Sequence, residues 1–64
     1  MQDLLKIIKW KEEIDEIKYV LTKLKIAEED FADNEEYEKA NVMLKEQLRL
    51  RSRKKLLIKK LEEV

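Results

Sequence analysis

The chain has 64 residues and a formal net charge of zero, with 47% charged and 44% hydrophobic side chains and no glycine, proline, cysteine or histidine. Disulfide bonds and His/Cys metal sites are therefore excluded, and nucleophilic and general-base catalysis lack their usual groups. The sequence predicts a protein without cofactor, metal site or enzyme activity.

No apolar run is longer than three residues, whereas a membrane-spanning helix needs about twenty. The N-terminal lysines are not followed by a continuous apolar segment, so we expect neither a membrane span nor a signal peptide. We expect a cytoplasmic protein. A short chain that begins with Met and has no evident active site is compatible with a phage or mobile-element accessory protein.

The first half of the chain predicts one long amphipathic helix, helix 1, over about residues 2–32. Its apolar residues recur three and four positions apart, with Glu28 in the remaining slot. They form the first part of a predicted self-association seam: Ile7, Trp10, Ile14, Ile17, Leu21, Leu24 and Phe31.

Helix 1 also has apolar residues on a face away from that seam. Exposed apolar patches often mark interfaces, so this group is a candidate partner face: Leu5, Ile8, Tyr19 and Ile26. The alternative is that a bundle wraps further round helix 1 and buries them.

A break between two helices is predicted near residue 33, because the apolar spacing shifts there by two residues. Asp33 and Glu36 have the spacing of a capping box, with Asp33 as the N-cap of the second helix. Asn34 tolerates a left-handed backbone better than most residues and is expected to close helix 1.

The second half predicts helix 2 over about residues 35–62, after a turn at about 33–34. It continues the seam with five residues: Tyr37, Ala40, Leu44, Ile58 and Leu61. Polar residues fill slots that this stripe would make apolar, and with Glu28 they form a candidate specificity layer: Gln47, Arg51 and Lys54. Either their stems pack while their charged heads reach solvent, or they set register and partner choice.

The predicted fold class is all-α, with a two-helix antiparallel hairpin in a single domain, because a short connection makes consecutive helices antiparallel neighbours. The hairpin places the basic run 51–55 opposite the acidic run 12–16. Two helices leave half of each stripe uncovered, so we expect two copies to pair into a homodimeric four-helix bundle. Helices of another protein would meet the same need.

A basic face lies on the other side of helix 2: Lys45, Arg49, Arg53 and Lys60. Such a strip suits phosphates or an acidic protein partner. The zero total charge and the absence of an interleaved aromatic residue count against nucleic acid.

The stretch N34-E-E-Y-E-K-A40, followed by V42-M-L-K-E-Q-L48, resembles the UVR motif over about residues 21–50. That helical hairpin occurs at the ends of bacterial excision-repair subunits and in some protease adaptors. The matching features are an acidic approach, an aromatic residue at Tyr37, and an amphipathic run after Ala40. The resemblance implies a hairpin that mediates contact between protein subunits.

The function favoured by these features is a non-enzymatic protein–protein interaction module, such as a small self-associating regulator, inhibitor or adaptor. The alternative is a small dimeric nucleic-acid-binding protein that uses the basic face of helix 2.

Overall fold

The computed structural model describes residues 2–64, with side chains from Leu4 onward. It contains two α-helices, α1 (Gln2–Asp33, 32 residues) and α2 (Tyr37–Glu62, 26 residues), and no strand within residues 2–64. The helices pack against each other, and the Cα positions span 51 × 15 × 12 Å. The predicted all-α hairpin is confirmed. Neither helix, over the described length, is long and apolar enough to cross a membrane.

Contacts between the helices show that they run antiparallel. Near the turn, Lys39 Nζ lies 5.7 Å from the centre of the Phe31 ring. Near the open end, Lys60 Nζ lies 5.7 Å from the centre of the Trp10 ring. Between these points the predicted pairing of the basic and acidic runs is confirmed at Arg53, which binds a carboxylate of the run 12–16.

The hydrophobic core is small and lies toward the open end of the hairpin. Ile14, Ile17 and Leu57 form one buried cluster. Four partly buried residues pack against it: Trp10, Leu21, Leu50 and Leu61. Ala40 and Gln47 are the other buried residues in the part of the chain whose side chains are described. A core of this size leaves much of the apolar surface of a short chain in water.

The side of α2 that faces α1 is rotated from the predicted side, by less than the angle between successive residues: Met43, Leu50 and Leu57 take the places that the prediction gave to Leu44, Arg51 and Ile58. We call this side the inner stripe of α2, and its members are all buried or half-buried: Ala40, Met43, Gln47, Leu50, Lys54, Leu57 and Leu61. Leu57, which is 0% exposed, was missing from the predicted seam. Tyr37, Leu44 and Ile58 lie beside the inner stripe and are 37% to 62% exposed. Their part in self-association stays a prediction.

The cost of burying an arginine explains this rotation. The line through Leu44 and Ile58 also contains Arg51, whereas the line through Leu50 and Leu57 contains only Met43 in addition. Burying an unpaired charge is far more costly than burying a thioether. The rotation therefore leaves Arg51 exposed and buries an uninterrupted apolar line.

The turn lies about two residues later than predicted. Asp33 is the last residue of α1, and the left-handed backbone occurs at Glu35, with φ of 62°, rather than at Asn34. Asn34 helps to close α1 in another way, because its side-chain Nδ2 donates to the carbonyl oxygen of Asp30 at 3.0 Å.

Two backbone hydrogen bonds explain why the turn lies there. The N–H of Glu36 donates to the carbonyl oxygen of Phe31 at 2.8 Å, and the N–H of Glu35 donates to that of Ala32 at 3.0 Å. This pair of bonds is the Schellman motif, which supplies donors to carbonyl groups at a helix end. Residues 35 and 36 thus close α1 and cannot also belong to the first turn of α2.

The predicted capping box is wrong for the same reason. Asp33 is inside α1, so it is not the N-cap of α2. That position belongs to Glu36, which makes no side-chain cap hydrogen bond. The Glu36 carboxylate instead accepts a hydrogen bond from Lys39 Nζ at 3.1 Å.

Candidate interaction surfaces

A polar contact is buried between the helices in the half of the hairpin nearer the turn. Gln47 is 1% exposed, and its Nε2 donates to Glu28 Oε1 at 2.7 Å. Lys25 Nζ lies 3.8 Å from the same oxygen. Within residues 4–64, no buried side-chain nitrogen or oxygen lacks a hydrogen-bond partner. Two members of the predicted specificity layer therefore meet and satisfy each other.

The other two members of that layer are placed differently. Lys54 is half-buried in the inner stripe, and Arg51 is exposed. Neither forms a salt bridge among the described side chains. The structure thus brings together half of the predicted layer and leaves Arg51 outside the contact between the helices.

One side of α2 carries charged residues that have partners in the same chain. We call it the ionic side, and its residues are seven apart, on one line along the helix: Lys39, Glu46, Arg53 and Lys60. Arg53 Nε donates to Glu13 Oε2 at 2.7 Å, and its Nη2 donates to Glu13 Oε1 at 3.3 Å. The hydrogen bond from Arg53 lowers the pKa of the Glu13 carboxyl below its ordinary value of 4.5. Paired groups therefore flank this edge of the helix contact.

The opposite side of α2 carries apolar residues without cover. We call it the outer stripe of α2, with members spaced four and three apart: Tyr37, Asn41, Leu44, Leu48, Arg51, Lys55 and Ile58. All seven are exposed. Three residues of the predicted seam on helix 2 lie here and not in the inner stripe: Tyr37, Leu44 and Ile58. The rotation of α2 thus places them on an exposed surface.

A second uncovered surface lies on α1. We call it the outer stripe of α1, with members spaced three and four apart: Leu5, Ile8, Glu12, Asp15, Tyr19, Thr22 and Ile26. All seven are exposed, including the four residues of the predicted partner face. The alternative, that a bundle wraps further round helix 1 and buries these four, concerns an assembly of chains and stays a prediction. What binds to them stays a prediction.

The predicted basic face is largely engaged within the chain. Arg49 Nη2 lies 2.8 Å from Glu46 Oε2, Arg53 binds Glu13, and Lys60 lies over the Trp10 ring. Three of its four members therefore already contact other side chains of the chain, although they remain at least partly accessible.

Comparisons of the chain with protein-family models, curated proteins and solved structures gave no match. The resemblance to the UVR motif therefore stays a prediction. Among the residues that form the contacts, sequence reasoning missed Leu50, Leu57 and Glu35. The seven-residue spacing from Met43 through Leu50 to Leu57 was the available signal for the first two.

Proposed function

We propose that the protein is a non-enzymatic protein–protein interaction module that self-associates through its outer stripes and acts as a small cytoplasmic regulator, inhibitor or adaptor. The supporting observation is an imbalance in apolar burial. Among the residues whose side chains are described, thirteen large hydrophobic residues are exposed and only four hydrophobic residues are buried. Covering apolar surface stabilises an assembly by about 25 cal/mol per Å², so further helices packed on the hairpin would be favoured.

The positions of the exposed residues also support the proposal. Eight of the thirteen lie in the two outer stripes, at spacings that keep each group on one side of its helix. Residues scattered singly over a surface need no explanation, whereas a continuous patch is typical of an interface. A four-helix bundle formed by two copies is the simplest closed assembly that covers such patches.

The proposal is tested by measuring molecular mass in solution by sedimentation over a wide range of concentrations. We expect a mass that rises above the 7.8 kDa of one chain, because apolar surface is buried between copies. A mass of one chain at every concentration would contradict self-association.

Nucleic-acid binding through the basic face has less support. Arg49 and Arg53 already hold carboxylates of the same chain, so phosphate contacts would have to compete with those pairs. The test is an electrophoretic shift with DNA and RNA at several salt concentrations. A salt-dependent shift that is lost on charge reversal at Arg49 and Arg53 would favour this alternative over the proposed function.

A further inference from the structure

The two outer stripes carry charged pairs of opposite sign. In each stripe, two charged residues one turn apart have an apolar residue on either side. In α1 the charged residues are Glu12 and Asp15, and in α2 they are Arg51 and Lys55. All four are exposed, and none forms a salt bridge within residues 4–64.

We propose that the outer stripe of α1 in one copy packs on the outer stripe of α2 in a second copy, with the acidic pair of one stripe opposite the basic pair of the other. The idea rests on the proposed self-association and adds which two surfaces meet. The contact would cover apolar groups on both stripes and give partners to four exposed charges.

The spacing of the residues supports this pairing. Residues three or four apart lie about one turn apart on the same side of a helix, as do Glu12 with Asp15 and Arg51 with Lys55. The apolar residues begin a further turn away on both sides: Ile8 and Tyr19 on α1, and Leu48 and Ile58 on α2. Placing the charges opposite each other therefore also places apolar residues opposite each other, whichever way the second copy runs.

Charge also disfavours the alternative contacts between copies. If α2 packed on α2, Arg51 and Lys55 of both copies would converge, and if α1 packed on α1, Glu12 and Asp15 would do so. Like charges brought together in an interface are destabilising. The two halves of the chain also have opposite net charge, which favours contact between unlike halves. Residues 1–33 carry six basic and nine acidic residues, and residues 34–64 carry nine basic and six acidic residues.

The intrachain pair Glu13–Arg53 is separate from this surface. Arg53 belongs to the ionic side of α2, where its guanidinium is already held by Glu13. The charges of the outer stripes can therefore be reversed without removing the salt bridge that joins the two helices. This separation makes the proposal testable by substitution.

The experiment uses two charge-reversal variants of the full chain. One carries Glu12→Lys with Asp15→Lys, and the other carries Arg51→Glu with Lys55→Glu. We expect each variant alone to self-associate at least about tenfold more weakly than the wild type, because like charges then face each other. An equimolar mixture should recover association, because the basic α1 stripe of the first variant meets the acidic α2 stripe of the second.

Two matched control variants change the net charge by the same amount at positions outside the outer stripes. One carries Glu16→Lys with Asp30→Lys, at exposed positions of α1, and the other carries Lys45→Glu with Lys59→Glu, at exposed positions of α2. We expect both controls to associate nearly as the wild type does. Circular dichroism of each variant verifies that the helices form, so that a loss of association is not mistaken for unfolding.

The results separate this inference from the proposed function. Recovery in the mixture, with weak association of each variant alone, supports the contact between α1 and α2. The contact is overturned if association in the mixture stays weak. It is also overturned if the wild type binds the Arg51→Glu, Lys55→Glu variant more tightly than it binds itself, and the Glu12→Lys, Asp15→Lys variant self-associates normally. That second pattern would indicate contact between two α2 helices, and the proposed self-association would stand. A wild type that stays a single chain at all concentrations would overturn both.

Discussion

The inner and outer stripes of α2 lie side by side on one helix and differ in the environment of their polar side chains. In the inner stripe, the buried amide of Gln47 has a partner in Glu28. In the outer stripe, Arg51 and Lys55 have no salt-bridge partner among the described side chains, and the leucines between them and the turn are exposed.

This difference shows which contacts hold the single chain together and which surface remains available. A polar group in the inner stripe without a partner would cost free energy, because it is removed from water. A charge in the outer stripe has water as its partner until another molecule replaces it. Substitutions in the inner stripe should therefore change the free energy of unfolding, and those in the outer stripe should change association.

The largest effect on stability is expected from a comparison of two leucines of α2, one in the inner stripe and one in the outer stripe. We predict that Leu57→Ala lowers the free energy of unfolding by about 2–5 kcal/mol, because it leaves a cavity in the core. Leu48→Ala, in the outer stripe, should lower it much less in dilute solution. Thermal and urea unfolding followed by circular dichroism measure both. Equal losses for the two variants would contradict the assignment of the stripes.

The next effect tests the polar contact in the inner stripe. We predict that Glu28→Ala destabilises the hairpin by about 1–3 kcal/mol, because it leaves the buried Gln47 amide without its acceptor. Glu29→Ala, at the exposed neighbouring position, is the control and should change stability little. If Glu28→Ala left unfolding unchanged, the contact between Gln47 and Glu28 would have no role in holding the helices.

A smaller effect, of opposite sign, is expected at the turn. Glu35 has φ of 62°. A left-handed backbone costs a residue with a Cβ atom about 1–2 kcal/mol, and glycine, which has no Cβ atom, avoids this cost. We predict that Glu35→Gly raises the free energy of unfolding by about 1 kcal/mol. Glu36→Gly, where φ is −90°, should not raise it. The outer stripes are unchanged, so association should stay the same.

The smallest effect is a dependence on pH on the ionic side. The pKa of Glu13 is lowered from 4.5 in the folded chain by the hydrogen bond from Arg53. A group with a depressed folded pKa stabilises the fold above its unfolded pKa, and that contribution is lost as pH falls through the folded pKa. Glu13→Gln should therefore lower stability slightly at neutral pH and reduce the loss of stability below about pH 4.5. Unfolding curves of both proteins at several pH values measure this, and parallel pH profiles would contradict it.

The sequence predicted the helices and the hairpin because those depend on repeated features. Helix-forming residues run through both halves. On α1, Ile14 and Ile17 lie in a stripe interrupted only by Glu28, whereas the outer stripe contains Glu12 and Asp15. On α2 two neighbouring apolar lines competed, and the choice between them depended on where Arg51 would lie. The turn was misplaced because a local capping pattern at Asp33 competed with the need of the last carbonyl groups of α1 for donors.

The candidate surfaces were predictable to a lesser degree. The exposed residues of the outer stripe of α1 could be read from spacing alone. That Gln47 would meet Glu28 required the register between two helices, which depends on the turn and on the rotation of α2. The complementarity of the outer stripes became visible only when both stripes were known to be exposed on the same hairpin.

The inner stripe of α2 is out of phase with the seam of α1, and this limits the other shape that the chain could take. If Glu35 adopted a right-handed backbone, α1 and α2 could join into one rod of roughly 90 Å. A seven-residue continuation of the α1 seam would reach Val42 and Lys45, each two residues from Ala40 and Met43 of the inner stripe, and at about 100° per residue two residues are more than half a turn apart. A neighbour that followed the α1 seam along the rod would therefore leave the inner stripe of α2 uncovered. The reversal of direction is thus encoded along the whole length of both helices, and the three residues between them only determine where it happens.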